Sequence, residues 1–139
     1  MSPFRKNPII VVSCNVNDCF HGQATLFSHP HSFFPGRARV GTPEFIADLS
    51  EALGIGPGDE VITSPYTDMG TIASILSARA LPVLADIDRY SFQIDPADVE
   101  RKITRHTKAI MPIHIMGQAC EMDKIMDKIE SLLNKTDQR

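Results

Sequence analysis

From residue 40 onward the apolar positions alternate between a helical and a strand period. Thr42-Pro43-Glu44 reads as a helix start: a hydroxyl cap, a proline at the first helical position and an acid at the positive dipole end. Phe45, Ile46, Leu49 and Leu53 then share one helical face, and Gly54 follows as terminator. Gly56-Pro57-Gly58-Asp59 is turn chemistry, and residues 60–64 form a short strand centred on Val61 and Ile62 and stopped by Pro65. A helix opened by Thr67 or Asp68 carries Met69, Ile72, Ala73 and Leu76. A second strand is expected over residues 81–87, with Pro82 at its start. Asp95-Pro96 begins a helix with Val99 and Ile103, residues 109–114 make a third strand, and Met122, Ile125, Ile129 and Leu132 or Leu133 mark a last helix.

Three strands alternating with helices through short connections predict an α/β fold with a parallel sheet and right-handed crossovers. Residues 1–40 do not share this pattern. The β-branched run Ile9-Ile10-Val11-Val12 reads as one buried strand, whereas residues 15–39 are polar, rich in His and Pro, and show neither period. A structureless connection of that length is unusual inside a compact domain. The expected division is therefore an irregular segment over residues 1–40, an α/β domain over 41–134 and a tail over 135–139.

Composition narrows the function classes. The 139 residues suffice for one domain with a core and are too few for two. Hydrophobic residues make 42% and charged residues 22%, the ordinary globular mix. A net charge of -3 gives no general attraction to nucleic acid or to an anionic membrane. No apolar run approaches the roughly 20 residues that span a bilayer, and no signal-peptide core precedes Cys14. A cytoplasmic protein is expected, with Cys14, Cys19 and Cys120 as reduced thiols.

In parallel sheets, ligands gather where the carboxyl ends of the strands lead into helices. Three loops qualify: residues 64–68, 86–95 and 114–121. The first holds Ser64, Tyr66, Thr67 and Asp68 at a helix start, where free N–H groups hold a phosphate or where Thr67 or Asp68 simply caps the helix. Asp86 and Asp88 suit a hydroxyl or a metal, but acids at strand ends commonly start turns. His114 is either a base or a structural histidine. Cys14, Cys19, His21, His29 and His31 are possible zinc ligands, although their spacing matches no standard structural site. The six lysines are Lys6, Lys102, Lys108, Lys124, Lys128 and Lys135. None sits in an apolar or glycine-rich setting that would lower its pKa for Schiff-base work.

The run Leu53-Gly-Ile-Gly-Pro-Gly-Asp-Glu-Val-Ile62 resembles the entry to the large domain of the DegT/DnrJ/StrS family of sugar aminotransferases. The resemblance continues through Ser64-Pro-Tyr-Thr67, Leu81-Pro-Val, Asp86-Ile-Asp88, Ile94-Asp-Pro, Ile103-Thr and Thr107-Lys-Ala-Ile. It runs on through Pro112-Ile-His, Gly117-Gln and Met122-Asp123, to about Ile125. It implies part of the three-layer parallel sheet of the type I pyridoxal-phosphate fold. It also implies a dimeric enzyme that moves an amino group from glutamate or glutamine to a keto-sugar, usually nucleotide-linked.

Such an enzyme needs a lysine to hold pyridoxal 5'-phosphate, a carboxylate on the pyridine nitrogen and an anion site for the phosphate. By resemblance, Thr42 stands near the phosphate turn, displaced by one residue and followed by Pro43, which lacks an N–H. Asp68 stands where the family stacks an aromatic residue on the cofactor ring. The acid-bearing strand and the Ser-x-Lys segment are absent from these 139 residues. The expectation is a truncated aminotransferase relative, inactive alone. The alternatives are a binding or regulatory module that docks on a second copy or a full-length relative, or takes a phosphorylated ligand, and a small metal-binding protein.

Overall fold

The computed structural model describes residues 9–15, 24–28, 32–34 and 53–137, with side chains for Ile9 and residues 53–132. The elements in chain order are β1 (Ile10–Asn15), β2 (Ala24–Ser28), β3 (Ser32–Phe34), β4 (Glu60–Thr63), α1 (Met69–Ser77), β5 (Leu81–Leu84), α2 (Pro96–Lys102), β6 (Thr107–Met111), β7 (Ile113–His114) and α3 (Met122–Asp137). The expected helix over residues 42–53 and Thr42 itself lie outside the described residues.

The strands form one sheet in the order β3-β2-β1-β6-β4-β5, with β7 beside β1. The pairs β4–β5, β4–β6 and β1–β6 are parallel, as the alternating pattern requires. The strands β1, β2 and β3 form an antiparallel meander. The stretch after Cys14 therefore contributes two strands where no period was visible. Their register runs Leu26↔Phe34, Phe27↔Phe33 and Ser28↔Ser32.

Alternation along the strands sorts the core into two halves. Val61, Ala109 and Met111 face one side with Leu53, Ile55, Ile75 and Ala78, beneath α1. Ile62 and Ile110 face the other with Val99, Ile125 and Ile129, beneath α2 and α3. Ile9 joins this second cluster. The sheet is thus the middle of three layers, with side chains at Val61, Ile62, Ala109 and Ile110 fully buried.

Three boundaries differ from expectation. The strand predicted over 81–87 ends at Leu84, because Asp86 N–H turns away to donate to the Asp98 carboxylate at 2.6 Å, and Ile87 makes only an isolated bridge to Ile94. The strand predicted over 109–114 divides into β6 and β7 around Pro112, which has no N–H for the ladder. Ile103 follows α2 as its cap residue, in extended backbone. No helix among the described residues is long and apolar enough to cross a membrane.

Candidate functional site

The connection leaving β4 enters α1 on one face, and the connection leaving β6 leads to α3 on the other. Adjacent parallel strands whose connections part to opposite faces create a crevice at their carboxyl ends, where α/β proteins bind ligands. Here that crevice lies between β4 and β6. The loops over 64–68 and 114–121 flank it, and the loop over 86–95 borders it. All three loops singled out from the sequence therefore converge.

At its floor the hydroxyl of Thr63 donates to the Met111 carbonyl at 2.9 Å, tying the two strand ends together. Ser64 is buried, and its hydroxyl accepts from Tyr66 N–H at 3.1 Å. Asp68 caps α1: its carboxylate accepts from Gly70 N–H at 2.6 Å, and its carbonyl accepts from Thr71 N–H at 3.1 Å. Thr67 instead shares a 2.8 Å hydroxyl contact with Thr71. The N–H groups of Tyr66, Gly70 and Thr71 are thus engaged within the loop, which is the capping arrangement rather than an open anion cradle.

Gln93, unremarked in the sequence, locks two of the loops together. It is buried, and its amide pairs with both backbone groups of Ile115. The Cys120 thiol lies 3.1 Å from Gln93 Oε1 and from the Ile113 carbonyl, and burial pushes it up to about 11, so it is an unreactive neutral thiol at ordinary pH. His114 Nδ1 accepts from Cys120 N–H at 2.9 Å. That nitrogen is therefore unprotonated and the proton sits on Nε2. Partial burial holds the imidazole below its usual pKa.

Asp88 serves as a turn residue: its carboxylate accepts from Tyr90 and Ser91 N–H, the Ser91 bond foremost in lowering its pKa. Asp86 accepts from its neighbour Ile87 N–H. Among the described residues, no three His, Cys, Asp or Glu side chains group as metal ligands. Of the five zinc candidates, Cys14 is in β1, while Cys19, His21, His29 and His31 lie outside the described residues.

Apolar groups rim the crevice. The rings of Tyr66 and Phe92 meet at 5.9 Å with an interplanar angle of 57°. Phe92 and Met116 adopt left-handed backbone (φ 58° and 56°), a conformation that costs a non-glycine residue and recurs at functional loops. Both side chains are at least half exposed. The positions missed from the sequence, Gln93, Phe92 and Met116, share one property: their placement depends on backbone reversals that no local spacing announces. A depression of about 520 Å³, lined by Ile55, Asp59 and Arg79, lies at the opposite end of the strands.

These residues test poorly as a complete cofactor site. Lys102 and Lys108 lie at the end of α2 and the start of β6, away from the crevice. Lys124 and Lys128 are on α3 and ion-paired with Glu121 and Glu100. Asp68 is occupied as the cap of α1. Among the described side chains, no lysine lies in the crevice to hold pyridoxal phosphate covalently.

Comparison with known proteins places the fold. Residues 43–131 match the DegT/DnrJ/EryC1/StrS aminotransferase family. Spore coat polysaccharide biosynthesis protein SpsC of Bacillus subtilis is 51% identical over 76 residues, 55% of this chain and 20% of that protein. GDP-perosamine synthase of Caulobacter vibrioides is 49% identical over the same length, again 20% of the relative. The crystal structure of NtdA from Bacillus subtilis with bound cofactor PMP superposes with a TM-score of 0.58 at 35% identity, over 63% of this chain and 20% of that one. The chain thus spans about a fifth of the length of these relatives. On the sequence match and the shared sheet, the chain belongs to the DegT/DnrJ/EryC1/StrS aminotransferase family.

Proposed function

We propose that these 139 residues carry the β4–β6 crevice of a sugar aminotransferase fold without performing transamination by themselves. One observation carries the reading. The lysines of α3 whose side chains are described, Lys124 and Lys128, are both held in ion pairs, and the hydrogen bond that Lys124 donates to Glu121 raises its pKa. A Schiff-base lysine needs the opposite, a desolvated amine with lowered pKa. The relatives' names and the PMP-bound neighbour support a pyridoxal-type cofactor and a keto-sugar substrate for a complete enzyme. Tyr66, Met69, Phe92 and Met116, exposed around the crevice, are the surface that a full-length relative or a second copy would cover. A cytoplasmic setting with reduced thiols fits this role.

The test is to incubate the purified chain with pyridoxal 5'-phosphate, reduce with borohydride and map adducts by peptide mass, alongside an amino-donor assay. Scattered substoichiometric labelling without turnover is expected. A stoichiometric adduct on one lysine, with keto-sugar-dependent turnover, would overthrow the proposal.

A further inference from the structure

The family match begins at residue 43, yet the edge of β6 opposite β4 is held by β1, from outside the match. The register is Ile10↔Ala109 and Val11↔Ile110, continuing onto β7 as Cys14↔Ile113 and Asn15↔His114. Ile9, 8% exposed, is built into the core beneath α2 and α3. The strand is therefore anchored by a buried side chain as well as by its ladder.

The winding of the chain gives this position its meaning. From β4 the chain crosses by α1 to β5, on one side of β4. It then returns by α2, on the opposite face, to β6 on the other side. Reversed direction on reversed face is what two right-handed crossovers require. The next helix, α3, lies on the same face as α2. A right-handed crossover through α3 would deliver a parallel strand further along in the same direction, onto the edge of β6 that β1 holds. β1 has that place and that direction.

We propose that β1, paired on its other side with β2, caps β6 in cis. It fills in cis a docking position on β6 built for one parallel strand, and so blocks β6 from pairing with another polypeptide. This inference rests on the topology and not on the catalytic reading.

Hydrogen exchange on the full chain tests it. Peptides covering β1 and β6 should be protected together. In Ile10→Pro and Val11→Pro, which disrupt the β1 ladder, the β6 peptide should lose about half its protection while α1 keeps its own, and sedimentation should show self-association. Unaltered β6 protection in both variants, with β1 exchanging at free-chain rates in the parent, would overturn the cap. Should the proline variants lose protection throughout, a cysteine pair decides the matter: Asn15→Cys with His114→Cys, in a Cys14→Ser, Cys19→Ser background. Mild oxidation should link the introduced pair within a monomer. A linked dimer, or free thiols at both positions, would reject capping in cis.

Discussion

The side-chain amide of Gln93 closes two hydrogen bonds on the backbone of Ile115, its Nε2 donating to the carbonyl at 3.0 Å and its Oε1 accepting from the N–H at 3.3 Å. The pair joins loops 22 positions apart and satisfies both polar groups of a residue only 6% exposed. Gln93→Leu keeps volume but leaves the Ile115 N–H without a partner, and its carbonyl with only the bond from Gln118 N–H at 2.9 Å, at a cost of about 1–3 kcal/mol for the unsatisfied buried group. Urea denaturation should show a lower midpoint at an unchanged slope. A change below about 0.5 kcal/mol, the ordinary surface scatter, would mean that the clasp is not holding the loops.

His114 predicts a pH dependence. Its folded pKa lies below the ordinary 6.5 because burial disfavours the charged ring, and protonating Nδ1 would also break the bond from Cys120 N–H. The unfolded chain therefore binds the proton first as pH falls. This contribution is fully present above about 6.5 and is lost as pH drops towards the lower, folded value. Denaturation midpoints of parent and His114→Asn, whose amide oxygen can still accept from Cys120 N–H, should diverge in slope between about pH 7 and pH 5.5. Parallel profiles would remove His114 as the cause.

Asp98 acts in the same direction at lower pH. It is 7% exposed, accepts from Asp86 N–H at 2.6 Å and pairs with Arg101 at 2.8 Å. The Asp86 bond is the leading reason that its carboxyl titrates below the usual 3.8. Its stabilisation is complete above that unfolded value and disappears as pH falls through the folded one. Asp98→Ala should cost about 1–3 kcal/mol at neutral pH, with Asp98→Asn costing less because an acceptor remains. Equal losses in chemical denaturation would show that charge, and not the bond to Asp86, matters most.

Asp68 separates capping from cofactor contact. Asp68→Ala should lower stability by about 1 kcal/mol through loss of the α1 cap. Asp68→Phe, which installs the ring expected from the family resemblance, should lose the same cap. If thermal melts show Asp68→Phe as stable as the parent, the aspartate is not needed as a cap.

Fold class was legible because burial imposes its period directly on the chain. Val61 and Ile62 announce a strand buried on both faces, and Asp95-Pro96 announces a helix start, whatever surrounds them. The ordered motifs from Leu53 to Ile125 likewise carried the family, and the match over 43–131 bears that out. Thr42 and most of the zinc candidates lie outside the described residues.

Other features belonged to tertiary structure alone. Nothing local to Gln93 says that its partner is Ile115, since a side-chain bond across 22 positions is fixed by where two loops meet. Pro112 split a predicted strand, because a missing N–H matters only when a neighbouring strand waits to accept it. The place of β1 was likewise invisible: the β-branched run from Ile9 to Val12 fixed an extended conformation, but only the free edge of β6, exposed by the winding of the helices, decided where that strand would pair. Local sequence sets conformation and burial; pairing across the sheet depends on which edges the rest of the chain leaves open.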